Sequence, residues 1–228
     1  MRDRRKLIER SARIAVFVLA LVPLMLLVGD ALTGGLGTNP IEDITHRTGW
    51  WTLTFLMLTL AVTPLRQLTG IGWLIKLRRM LGLYAFFYAS LHFAIYIGID
   101  QFFATEYIIE DIMDRPYITV GFAGLVLLVP LALTSTKKMI KRLGGKRWNR
   151  LHKAIYLVAA LGVFHFLWLV KADIREPTIF GLILVALLSH RLVAERLRLA
   201  RVRSNTPAVA ATRRSQRSAA AGSRAGAS

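Results

Sequence analysis

The chain has 228 residues, is 54% hydrophobic, contains no cysteine and carries a formal net charge of +18. Without cysteine, disulfides, thiolate metal sites, iron–sulfur clusters and thiol catalysis are excluded together. The charge by itself would suit nucleic acid, but its placement along the chain assigns it to membrane topology and excludes that partner.

Six apolar runs are long enough to cross a bilayer, since ~20 helical residues at ~1.5 Å each cover ~30 Å. They lie near 12–31, 46–64, 81–99, 117–135, 152–170 and 178–194. None has the alternation of a barrel strand, and only helices satisfy their backbone internally over such runs. The fold class is therefore all-α, an integral membrane six-helix bundle. Residues 1–203 form one transmembrane domain. Residues 204–228, "SNTPAVAATRRSQRSAAAGSRAGAS" from Ser204, are small, basic and without an apolar period, and are expected to be a disordered tail.

The first run, in "MRDRRKLIERSARIAVFVLALVPLMLLVGD", has a basic start but is too long for a signal-peptide core. It reads as a retained first span, with Arg4 and Arg5 as a topology anchor. The second helix has a legible start in "TNPIEDITHRTGWW". Asn39 suits the N-cap, Pro40 the first helical position and Glu42 the third, with Trp50 and Trp51 as interfacial anchors. Trp148 and Trp168 bracket the fifth span. Small residues Ala89, Ser90, Gly98 and Gly162 would let helices approach closely.

Lysine and arginine sort by side. The N-terminal segment has 6, the 65–79 loop 4, the 136–153 loop 8 and the segment after His190 9. The alternate side has only Arg47, Arg115, Lys171 and Arg175, whereas Asp100, Glu106, Glu110, Asp111 and Asp114 crowd one loop there. By the positive-inside rule both termini are cytoplasmic, with anionic lipid headgroups as a secondary contact.

An intramembrane histidine is a functional hypothesis in its own right, because an unpaired imidazole is costly in lipid. His92 lies 13 residues beyond Arg79 and His165 lies 15 beyond Arg150. At ~1.5 Å per residue both sit ~20 Å deep on helices running the same way. Two imidazoles at one depth could each bond a neighbouring helix and bind nothing. They could also clamp one planar cofactor as axial ligands of a haem b iron, with "YAFFYASLHFAIY" and "VFHFLWL" as aromatic walls. The matched depth favours haem. His152, near the basic interface, reads as a redox-site residue. A second haem there lacks a facing histidine on the third helix, where Arg78 and Arg79 stand. On a continuous ideal helix, His152 and His165 would be ~140° apart. His190, near the cytoplasmic end of its helix, is the one possible partner of His152 in a second haem but reads rather as an interfacial residue. His46 could serve a partner contact or a second ligand but reads rather as a helix-end polar residue.

The stretches "NPIEDITHRTGWW", "RRMLGLYAFFYASLHF", "RPYITVGF" and "WNRLHKAIYLVAALGVFHFLWLVKAD" together resemble the ferric-reductase-like transmembrane cytochromes. The resemblance is greatest to the bacterial members that serve a periplasmic methionine-sulfoxide reductase system. It covers about Asn39 to Glu176. It implies an electron-transfer subunit without substrate chemistry of its own, carrying one or two haems b held through His92, His165 and His152, and an associated FMN. It implies a cytoplasmic flavin reductase or membrane quinol as donor. The implied acceptor is a periplasmic molybdenum-containing methionine-sulfoxide reductase subunit. Two other readings stand beside it: a quinol-oxidising cytochrome b serving another acceptor, and a transporter or scaffold. Transport is disfavoured by the lack of an inverted repeat.

Overall fold

The computed structural model describes residues 2–170, 173–197 and 199–200. The tail reading for 204–228 and the side assigned to Lys171 fall outside them. In chain order the helices are α1 (Arg2–Thr33), α2 (Pro40–Thr69), α3 (Leu77–Ile95), α4 (Thr105–Asp114), α5 (Pro116–Leu133), α6 (Lys137–Leu143), α7 (Gly145–Leu151) and α8 (Ala154–Leu169). A last helix, α9, runs Arg175–Leu197. Among the described residues there is no strand. Six helical segments there are long and apolar enough to cross a membrane, one for each predicted run. The protein is an all-α multi-pass membrane bundle.

The predicted start of α2 is present. Asn39 accepts the Glu42 N–H at 3.4 Å, its amide donates to the Glu42 carboxylate at 3.0 Å, and Pro40 is the first helical residue. At the other end Gly70 takes a left-handed φ of 69° and donates to Arg66 O, closing the helix. Along α2 the hydroxyls of Thr45, Thr48, Thr52, Thr54 and Thr59 each bond a carbonyl four residues back. That lets polar side chains sit within an apolar span without an orphaned donor.

The chain divides into two compact units after Val185. In the first, α2 packs along α3 and α5 packs along α8, the two closest helix pairings. α1 is fastened by Tyr84, which donates to Phe17 O at 2.9 Å, and by Tyr88, which donates to Ala20 O at 2.8 Å. At one end of α1, Arg47 pairs with Asp30 at 2.5 Å and with Asp43 at 2.9 Å. Towards the other end, Glu9 holds Arg13 at 2.5 Å and Lys76 at 2.6 Å. The first part of α9 buries Phe180 and Leu184. The second unit, from Ala186, continues as helix and carries His190.

Two features differ from the sequence reading. The acidic loop contains α4, which buries Ile108 and presents Glu106, Glu110 and Asp114 to the outside. Asp111 fixes this helix by accepting from Tyr96 Oη and Gln101 Nε2, each at 3.2 Å, and by pairing with Arg115 at 3.1 Å. The fifth span is also not one continuous helix. A turn at His152–Lys153 separates α7 from α8, with Lys153 N bonding Arg150 O three residues back. The ~140° separation expected for His152 and His165 on one ideal helix therefore does not apply.

Candidate functional site

A cavity opens between the two helix pairs. His92 of α3 and His165 of α8 both line it, as their depths predict. Their rings stand 6.3 Å apart, centre to centre, with planes at 79°. Each imidazole is fixed by the helix its own helix packs against. His92 Nδ1 lies 3.0 Å from Thr45 O of α2, and His165 Nδ1 lies 2.6 Å from Tyr117 O of α5. A carbonyl only accepts, so in both rings Nδ1 carries the hydrogen, and in the neutral ring Nε2 carries the lone pair. Thr48 Oγ, almost completely buried, adds a 3.4 Å contact to His92 Nδ1. Among the described residues neither Nε2 has a hydrogen-bond partner.

The spacing suits a metal between the two rings. A metal–imidazole bond is about 2.0–2.1 Å, and nitrogen lies about 1.1 Å from the ring centre, so two opposed ligands have centres about 6.2–6.4 Å apart. Among the described residues no group of three or more His, Cys, Asp or Glu could enclose a bare ion. The pair would have to serve a metal that brings its remaining ligands with it. The inner part of the cavity, walled by Leu53, Leu56, Leu125, Leu128 and Val158, is apolar. Charged lining residues, Asp100 and Arg115, lie towards α4. A hydrogen bond with Tyr117 and the charge of Asp111 both raise the Arg115 pKa, keeping this guanidinium cationic. The arrangement offers two neutral nitrogen ligands in a mostly apolar slot with one polar end, which fits an amphipathic planar metal complex such as haem.

The remaining sequence candidates separate. Ala89 and Gly162 line the cavity, whereas Gly98 lies against Phe103 in the loop beyond α3. Tyr84 and Tyr88 turn away from the cavity towards α1, but Phe93 and Tyr96 of the first predicted wall and Phe166 of the second line it, joined by Trp50 and Phe122. Trp50 also packs on Trp51 and Phe180. His46, read as a helix-end residue, lines the cavity with its ring edge-on to Phe166 at 5.9 Å. His152 lies apart from the cavity. Its ring stacks on Trp148 at 3.9 Å, its Nδ1 bonds Trp148 O at 3.1 Å, and its Nε2 faces Ser135 Oγ at 3.4 Å. Arg78 and Arg79 are the cations close enough to act on it.

Residues 48–163 match the family described as the ferric reductase like transmembrane component. The chain belongs to this family. The match includes His92 and His152 and stops two residues short of His165. Similar curated relatives are proteins named protein-methionine-sulfoxide reductase heme-binding subunit MsrQ. The relative from Herminiimonas arsenicoxydans is 54% identical over 178 residues, 77% of this chain and 82% of its own. That from Rhodospirillum rubrum is 54% identical over 185 residues, 81% and 89% of the two chains. That from Azospira oryzae is 49% identical over 203 residues, 87% of each. In this ferric reductase-like chain, sequence reasoning missed Thr45, Gly49, Tyr117 and Gly121. Their roles depend on which helix packs against which histidine, and no local pattern carries that information.

Proposed function

We propose that this chain is the haem b electron-transfer subunit of a periplasmic protein-methionine-sulfoxide reductase system, with His92 and His165 as axial ligands. The observation that carries the reading is the pair of unpartnered Nε2 atoms on two cavity-lining rings whose centres lie 6.3 Å apart. The names of the curated relatives, each a heme-binding subunit of such a system, support the same assignment.

Bound there, haem supplies a one-electron iron couple. The protein's part is to hold and insulate it. Thr45 O and Tyr117 O orient the two imidazoles and strengthen both as donors. Leu53, Leu56, Leu128 and Val158 exclude water from the inner edge. His92 and His165 would both ligate the iron and would leave it no open position for a substrate, so the subunit would relay electrons and perform no substrate chemistry. His152, stacked on Trp148 on the basic side, is the residue through which electrons enter; its Nδ1 and Nε2 face Trp148 O and Ser135 Oγ, so it offers no bare nitrogen to a second haem. The basic loops and both termini face the cytoplasm of a bacterial inner membrane, and α4 faces the periplasm. The donor is a cytoplasmic flavin reductase with FMN, or quinol. The acceptor is a molybdenum-containing catalytic subunit.

The test is an optical spectrum of the purified protein and of His92→Ala and His165→Ala. Each substitution should remove most of the haem absorbance while the protein still inserts. Full haem retention in both variants would sink the assignment.

A further inference from the structure

The two histidines are seated by one device used twice. His92 Nδ1 meets the carbonyl of Thr45, and the residue four positions on is Gly49. His165 Nδ1 meets the carbonyl of Tyr117, and the residue four positions on is Gly121. In an α-helix the carbonyl at n already accepts the N–H of n+4, and the side chain at n+4 lies over that same face. A lateral donor can reach such a carbonyl only if the n+4 side chain leaves room. At Gly121 an added Cβ would lie 2.9 Å from both Cε1 and Nδ1 of His165 and 3.1 Å from its Cγ. At Gly49 it would lie 3.3 Å from Cε1 and 3.4 Å from Nδ1 of His92. Other glycines in the same cavity wall do not behave this way. At Gly124 the nearest atom would be Leu161 Cβ at 3.9 Å, and at Gly162 it would be the movable tip of Leu53 at 2.8 Å.

We infer that Gly49 and Gly121 are positioning residues that set the tautomer and ring orientation of the two axial imidazoles. The inference rests on the haem reading above. A methyl group at Gly121 must tip the His165 ring off the α5 backbone and stretch or break the bond to Tyr117 O. Donation from Nδ1–H to a carbonyl raises the basicity of Nε2 and so favours the ferric iron. Losing it should raise the midpoint potential. Turning the ring also changes the 79° angle between the ligand planes, which the anisotropy of the low-spin EPR signal reports directly.

The experiment compares the haem-loaded wild type with Gly121→Ala, Gly49→Ala, Gly82→Ala and Gly181→Ala by redox titration and EPR. The potential should rise and the EPR signal move most in Gly121→Ala and less in Gly49→Ala, where the neighbour need give only a few tenths of an ångström. Gly82→Ala and Gly181→Ala, away from the cavity and with an added Cβ no closer than 3.7 Å to Thr59 and Val163 respectively, should match the wild type in both readouts. A Gly121→Ala protein with wild-type potential and EPR overturns the inference, as do equal shifts in all four variants. If Gly121→Ala does not accumulate, Gly49→Ala decides the matter by the same two readouts. A wild type without a bis-imidazole haem signal would bring down the haem reading itself. That failure is distinct from variants that leave such a signal unmoved.

Discussion

Removing the hydroxyls of Tyr84 and Tyr88 should loosen α1 without touching the haem site. Both rings lie in the interior, stacked on Phe55 at 5.5 and 5.3 Å, and phenylalanine preserves those contacts. The substitution therefore isolates the two hydrogen bonds to Phe17 O and Ala20 O. Each carbonyl lies within α1 and keeps its helical N–H partner, so no buried acceptor is orphaned and the cost stays near the intrinsic value of the bond. Side-chain hydrogen bonds between membrane helices average about 0.6 kcal/mol, so the double variant should lose roughly 1.2 kcal/mol. At 1.4 kcal/mol per factor of ten, that is about a sevenfold shift towards the detached state. The assay is equilibrium unfolding in mixed detergent, combined with the reactivity of a cysteine placed at Ala20. Reactivity should rise in Tyr84→Phe/Tyr88→Phe while haem content stays at the wild-type level. Loss of haem in that variant would refute the view that these tyrosines serve the scaffold and not the cavity. A loss of several kcal/mol would show that the carbonyls depend on the hydroxyls far more than helical geometry allows.

Sidedness follows from the charge distribution: Glu110→Cys on α4 should be labelled only from the periplasmic side, and labelling only from the cytoplasmic side would invert the topology. Neither NADH nor NADPH alone should reduce the haem at a useful rate. A cytoplasmic flavin reductase with free flavin should reduce it, and a periplasmic methionine-sulfoxide reductase should reoxidise it; rapid reduction by NADPH without a second protein would refute the split donor. His152→Ala should slow reduction more than reoxidation in stopped-flow traces, and equal slowing of both steps would remove its place on the entry side.

Much of the scaffold was legible because membrane crossing is a local demand. Each span must satisfy its own backbone and present apolar side chains over a fixed thickness, and both requirements are written along the chain. The α2 start was legible for the same reason, since Asn39, Pro40 and Glu42 act within one turn. The errors fall where local signals are weak or are overridden. In α4, Ile108 packs inward and Asp111 is held by Tyr96, Gln101 and Arg115, so tertiary contacts give helical order to a stretch that reads as an acidic loop. At His152–Lys153 three-residue hydrogen bonds interrupt a run whose apolar pattern continues unbroken.

The candidate site shows the same division at finer grain. The depths of His92 and His165 are sums of residue rises from a basic boundary, so counting along the chain brought them to one level. Their usefulness as ligands depends on which nitrogen is free, and that was not countable. It is decided by the carbonyls of Thr45 and Tyr117, on helices 47 and 48 positions away in sequence. Because those carbonyls leave Nε2 bare in both rings, the two imidazoles differ from histidines that merely satisfy themselves against a neighbouring helix. A structural histidine needs one good partner and gains from a second. Here each ring has its Nδ1 bonded and its Nε2 left without a partner, and both residues line the cavity. A metal centre held by both lone pairs would give each Nε2 the partner it lacks.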